Sequence, residues 1–114
     1  MVDRWSIHFC RLDPVQGSEQ RGERPVLVVS CDAVNHSLPV STVLPFSSVK
    51  PGARIYPSEV LMPAATTGLT KDSVAMVQQI RTLDHDRFGA KVGDLNDSVL
   101  QEKVKEALRV YFEI

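Results

Sequence analysis

Asp13-Pro14-Val15-Gln16-Gly17-Ser18-Glu19-Gln20-Arg21-Gly22-Glu23-Arg24-Pro25 runs straight into Val26-Leu27-Val28-Val29-Ser30-Cys31, and the contrast between these halves orders the whole chain. The first half is almost entirely polar, carries Gly17 and Gly22, and lacks apolar periodicity. It predicts a long exposed loop over 13–24. A loop of that length in so small a domain serves function or motion, and this one reads as a mobile polar lid. The second half is a β-branched, apolar run, the pattern of a central strand. Pro25 stands at its first position, where a missing amide does least harm.

On the N-terminal side, residues 4–12 form a strand with Ile7 and Phe9 alternating on one face, which leaves His8 out of step and facing solvent. On the C-terminal side, Asp32-Ala33-Val34-Asn35 and His36-Ser37-Leu38-Pro39 make two short turns. Thr42–Ser47 is a strand that Pro45 forces to be bulged or at an edge. Tyr56–Met62 contains a further strand, Ala64–Leu69 is ambiguous, and Ser73–Val77 and Gln79–Leu83 are short strands. Asp84–Phe88 forms a brief turn and Ala90–Gly93 a last extended piece. Leu100, Val104, Ala107, Leu108 and Tyr111 recur at helical spacing and predict one C-terminal helix with its apolar stripe against the sheet. Asp97 or Ser98 caps it, and Ser98 with Gln101 has capping-box spacing. Short strands closed by one helix give an α+β fold with a strongly curved sheet or barrel.

A chain of 114 residues holds one domain, 1–114, with a modest core. Its formal net charge of -1 neither advertises nor excludes nucleic-acid binding, because a local arginine cluster holds a phosphate whatever the total. No apolar run approaches the roughly 18 residues of a membrane span. The first ten residues lack a secretory hydrophobic region, which points to the cytoplasm. Cys10 and Cys31 sit in apolar runs and read as small buried hydrophobes, not a disulfide framework. His8, His36 and His85 show no metal-ligand spacing, so neither metal nor cofactor is expected.

The blocks Asp13-Pro14, Gly17-Ser18-Glu19-Gln20 and Gly22-Glu23-Arg24-Pro25, with the strand that follows, resemble the MazF/PemK family of toxin endoribonucleases. So do Asp32–Asn35, Pro45-Phe46-Ser47-Ser48, Asp72-Ser73-Val74, Gln79-Ile80-Arg81-Thr82 and the final helix, so the resemblance covers essentially the whole chain. It implies a small SH3-like barrel (CcdB/PemK-like) with a C-terminal helix, assembled as a homodimer and held by a MazE-like antitoxin. It also implies metal-independent cutting of single-stranded RNA, typically mRNA, at preferred sequences. The products are a 2′,3′-cyclic phosphate and a 5′-hydroxyl. The chain departs from the family pattern at its first strand, where Trp5 occupies a usual glycine position and Ser6 a usual acidic one. Ser47 replaces a usual threonine but keeps the hydroxyl.

The resemblance and the chemistry together nominate the site. Arg24 presents a fixed fork of donors suited to a phosphate gaining charge in the transition state. Ser47 offers a hydroxyl to a non-bridging oxygen, and Glu19 is a candidate base or an orienting group for Arg24. Ser18, Gln20, Asn35, Gln79 and Arg81 are the candidate RNA contacts, with Arg81 alternatively paired to Asp84 or Asp86. Trp5 suits base stacking or packing equally. Two other readings use the same fold: a CcdB-like gyrase poison, which would leave RNA intact, and a catalytically silent homologue that only binds its antitoxin.

Overall fold

The computed structural model describes residues 2–114. Its elements run β1 (Ser6–Arg11), β2 (Glu23–Val28), α1 (Asp32–Asn35), β3 (Val40–Ser48), β4 (Glu59–Met62), α2 (Ala64–Thr67), β5 (Ser73–Met76), β6 (Arg81–Asp84), β7 (Phe88–Asp94) and α3 (Ser98–Phe112). All ladders are antiparallel, in the order β4-β5-β3-β2-β1-β7 with β6 also on β3.

The central strand is β3, and Pro45 explains how it curves. Through Pro45 it pairs with β2 on one side, and through Val43 with β6 on the other. From Phe46 onward it pairs with β5 instead. Pro45 is therefore neither at an edge nor in a bulge: it stands where the strand changes partner, and its missing amide falls at that change. The bend folds the sheet around a core of Ile7, Leu27, Leu44, Phe46, Met62 and Val77. A second cluster on the opposite face joins Cys10, Leu12, Val26, Val28, Val43 and Leu83.

The C-terminal helix closes the first core with Leu100, Val104 and Ala107. Asp97 is its cap, accepting from the Leu100 amide at 3.0 Å. Tyr111, expected on the buried stripe, is instead exposed, together with Val110 and Phe112. The stripe runs past the end of the sheet surface it covers.

Two other expectations are corrected, and Trp5 takes the packing role. Cys31 is exposed at the start of α1, because the β2 run ends at Val28 and the chain turns before the thiol. His8 is buried, edge-on to Phe88 at 5.4 Å between centroids, with Nε2 2.9 Å from Ser6 Oγ. The Phe88 ring packs on this side of β1, so being out of step with Ile7 does not mean facing water. Trp5 adopts φ +70°, the left-handed conformation in which a glycine is unstrained. Its amide donates to Val28 O and its carbonyl accepts from the Leu95 amide, both at 2.8 Å, while the indole packs on the core. These contacts hold a bulky residue where the backbone favours glycine.

Candidate functional site

Arg24 and Ser47 both stand next to the end of the β2–β3 ladder. Val26 opposes Pro45, Leu27 opposes Leu44 and Val28 opposes Val43. That ladder ends at Pro45, so Arg24, two residues before Val26, and Ser47, two residues after Pro45, lie just past its end, and Ser47 pairs with Val74 of β5. Arg24 and Ser47 are both half-buried. Arg24 Nε donates to Arg21 O at 3.0 Å, and its terminal nitrogens make no hydrogen bond or salt bridge among the described residues. The guanidinium is thus oriented by the loop backbone while its fork stays open.

Across the ladder from Arg24 lies Cys10. Burial pushes its thiol pKa up to about 12, so it stays protonated and is no nucleophile near neutral pH.

The loop before Arg24 is closed on itself and fastened to the sheet. Leu12 N donates to Gly22 O at 2.9 Å, and Gly22 N to Asp13 Oδ2 at 3.1 Å. Glu19 Oε1 accepts from the Gln16 amide at 2.6 Å, so this carboxylate caps the tip of the loop. Arg21 reaches Gly17 O at 3.0 Å. Gln79 is the clamp: its Oε1 accepts from the Gln20 amide and its Nε2 donates to Ser18 O, both at 3.1 Å. Arg81 Nη1 donates to Leu12 O at 2.9 Å and pairs with neither Asp84 nor Asp86. The free lid expected from composition is therefore a pinned loop. Gln79 and Arg81 hold its shape, while Ser18 is exposed and Gln20 keeps a buried Oε1 with no partner.

Asn35 is a correction. It is 2% exposed, and its amide is engaged within the fold. Oδ1 accepts from the hydroxyls of Ser30 and Ser41, and Nδ2 donates to Ser30 O and Asp32 Oδ1. Its burial takes it out of the candidate RNA surface. It also lies beyond the Val28 end of β2, at the other extreme of the sheet from Arg24.

Among the described residues, one set of His and carboxylate groups has ligand-like spacing: Asp3, Asp32 and His36. It too lies at the Asn35 end, with His36 Nε2 2.7 Å from Asp3 Oδ1.

Sequence reasoning missed a cavity of about 270 Å³ beside Arg24, in the mouth of the barrel. Phe9, Pro25, Phe46, Leu69 and Val92 give it apolar walls, and Ser48, Thr70, Lys71 and Ser73 supply polar groups. Phe9 was legible as a position on an alternating strand. Lys71 and Ser73 were not, since the segment after Gly68 has no period that aims them.

Comparisons with known proteins show the family. The family described as PemK-like, MazF-like toxin of type II toxin-antitoxin system matches residues 3–112. The chain is 38% identical to Endoribonuclease EndoA of Bacillus subtilis over 110 residues, 96% of this chain and 93% of that one. It is 35% identical to Endoribonuclease MazF9 of Mycobacterium tuberculosis, covering 100% of this chain and 98% of that one. The structure of MazF from Deinococcus radiodurans superposes with a TM-score of 0.82 at 25% identity, over 99% of this chain and 97% of that one. With the loop, the barrel and the relatives in agreement, the chain belongs to the PemK-like, MazF-like toxins of type II toxin–antitoxin systems.

Proposed function

We propose that this toxin is an endoribonuclease that cuts single-stranded RNA, chiefly mRNA, at preferred sequences and without a metal ion. The observation that carries the reading is the open fork of Arg24, which the loop backbone orients through Arg21 O. In the reaction the substrate's 2′-oxygen attacks the adjacent phosphorus and loses its proton. The bond to the 5′-oxygen breaks, and that oxygen takes up a proton. A 2′,3′-cyclic phosphate and a 5′-hydroxyl result. Arg24 binds the non-bridging oxygens as their charge grows, and Ser47 donates to one of them and holds the phosphate in line. Glu19 acts through loop shape, by its bond to Gln16. DNA lacks the 2′-hydroxyl, so the site is selective for RNA.

Ser18 and Gln20 present loop groups to the RNA, while Gln79 and Arg81 brace the strand and loop behind them. A groove for several nucleotides exceeds the surface of one such domain, and a homodimer extends it. A cognate MazE-like antitoxin covers the groove, and the toxin acts in the cytoplasm. Among the described residues no helix is long and apolar enough to cross a membrane.

The test is incubation of the purified protein with a long defined RNA in EDTA, followed by mapping of cut sites and end chemistry. Discrete cuts ending in cyclic phosphates are expected. Cutting that appears only with added divalent metal would overturn the metal-free chemistry, and intact RNA beside trapped gyrase–DNA complexes would favour the poison reading.

A further inference from the structure

We infer that Asp3, Asp32 and His36 form a site for a late first-row divalent cation of the zinc type, which fastens the segment before β1 to α1. The inference stands apart from the RNA-cleaving reading. The three residues lie beside Asn35, at the other extreme of the sheet from Arg24, and the ion takes no part in the cut.

The three ligands come from two places in the fold. Asp32 opens α1 and His36 caps its C-terminal end four residues on, so both side chains share one face of the turn. Asp3 reaches that face from the start of the chain, where its carbonyl accepts from the Ser6 amide at 3.1 Å. One ligand atom from each residue lies within 4.8 Å of the others. Two ligands about 2.0–2.2 Å from a tetrahedral zinc ion stand roughly 3.3 Å apart. His36 Nε2 is 2.7 Å from Asp3 Oδ1 and 3.8 Å from Asp32 Oδ1, so the observed pairs bracket that separation. The side chains keep between 36% and 51% of their surface exposed, which lets them close on an ion and lets water supply a fourth ligand.

The charges point to a cation. Two carboxylates meet here, and no Lys or Arg forms a salt bridge with either among the described residues. Arg4, next to Asp3 in the chain, turns its guanidinium over the Trp5 ring instead, 4.7 Å from the centroid. It gives Asp32 its backbone amide, at 2.7 Å from Oδ1.

Behind Asp32 the support is buried. Its Oδ1 also accepts from Asn35 Nδ2 at 3.1 Å, and Asn35 is 2% exposed and held in turn by Ser30 and Ser41. Metal sites orient their carboxylate ligands through hydrogen bonds of this kind. The imidazole then chooses the ion: it suits zinc, nickel or copper, whereas calcium asks for roughly six to eight oxygens and magnesium keeps to oxygen ligands and its own water.

The experiment takes the untagged full chain, stripped with EDTA and dialysed free of it, and titrates it with zinc chloride by calorimetry and in thermal melts. Wild type should take up one zinc per chain at micromolar concentration. Zinc at about a hundred times its dissociation constant should raise the melting temperature by roughly 10 °C. Asp3→Ala and His36→Ala, both surface changes, should melt within a few degrees of wild type without zinc. Each should bind the ion roughly a hundredfold more weakly, beyond what loss of a merely supporting hydrogen bond costs. Cys31→Ser removes the exposed thiol next to Asp32 and should bind as wild type does. No uptake at micromolar zinc overturns the inference, as does unchanged affinity in either alanine variant or a loss confined to Cys31→Ser. Magnesium should leave the melt where it is, and an equal rise with magnesium would reduce the effect to charge neutralisation and overturn the site. Cleavage is not the readout, so the result holds whether or not the protein cuts RNA.

Discussion

At one end of the β1–β2 ladder, the terminal nitrogens of Arg24 and the Gln20 Oε1 have no partner among the described residues, although Gln79 and Gln16 pin the Ser18–Gln20 turn. At the other end, Ser30, Asn35 and Ser41 are polar in equal measure, yet each has its hydrogen bonds met inside the fold. Thr42 N donates to Ser30 Oγ, His85 Nε2 lies 2.8 Å from Ser41 Oγ, and Arg4 N donates to Asp32 Oδ1. The Asp32 carboxyl is accordingly held below its ordinary range, first by that backbone amide and then by Asn35. The two ends teach that polarity alone does not mark a site. Satisfied polar groups brace the sheet, and open ones are left for a ligand.

The comparison breaks if the two ends respond alike to truncation, so the largest expected effects are a crossed pair. Arg24→Ala should lower cleavage by roughly 10²–10³, the loss typical of removing one charge-stabilising donor. Its melting temperature should barely move, since it gives up one exposed hydrogen bond. Asn35→Ala should behave in reverse. It removes the acceptor that the Ser30 and Ser41 hydroxyls share and opens a gap at a buried position, and should cost about 2–3 kcal/mol, a fall of about 10 °C in melting temperature, with cleavage per folded molecule unchanged. Rates on a defined RNA and thermal melts of both variants decide it. A stable but inactive Asn35→Ala would return that residue to the RNA surface.

Trp5 sharpens the same division. It lies five residues before Cys10, which opposes Arg24, so about 16 Å of strand separates it from the site. As a departure from the family pattern it bears on backbone strain. Trp5→Ala loses the packing of a half-buried indole and keeps the strained φ, and should cost about 2 kcal/mol. Trp5→Gly loses the same packing but relieves the strain, and should be about 1 kcal/mol more stable than the alanine variant. Chemical denaturation of the three proteins gives the order. Alanine at least as stable as glycine would show that the left-handed conformation costs nothing here. Neither variant should alter the cleavage profile.

Local chemistry made much of this legible from sequence. The loop from Asp13, the apolar run after Pro25 and the α3 stripe with Asp97 before it all act through neighbours in the chain, where composition and period speak directly. What sequence could not reach depended on partners far along the chain. Asn35 is buried because β3 brings Ser41 to it, and Gln79 becomes a loop clamp because β6 follows β3. Pro45 reads as an edge signal until β3 is seen to change partners at the next residue. Lys71 lines a cavity only because the segment after α2 comes against Phe9, Phe46 and Val92 from three other strands.

The smallest expected effect concerns pH. His8 sits near the middle of β1, between the two ends, and burial lowers its pKa, with the charge of Lys91 lowering it further; a backbone hydrogen bond with Gly89 and the more distant Asp94 oppose this. The folded protein therefore holds His8 neutral below the ordinary value of 6.5, where the unfolded chain has already taken up a proton. Between that value and the lowered one the unfolded state binds more protons, so stability falls as pH falls through this window and is restored above it. His8→Gln removes the titrating group while keeping a polar partner for Ser6. Its melting temperature should show less dependence on pH below 6.5 than wild type does, and cleavage near neutral pH should be the same for both. Equal pH slopes in the two proteins would remove His8 as the source of the acid sensitivity, and a changed cleavage rate near neutral pH would make His8 part of the site and not of its support.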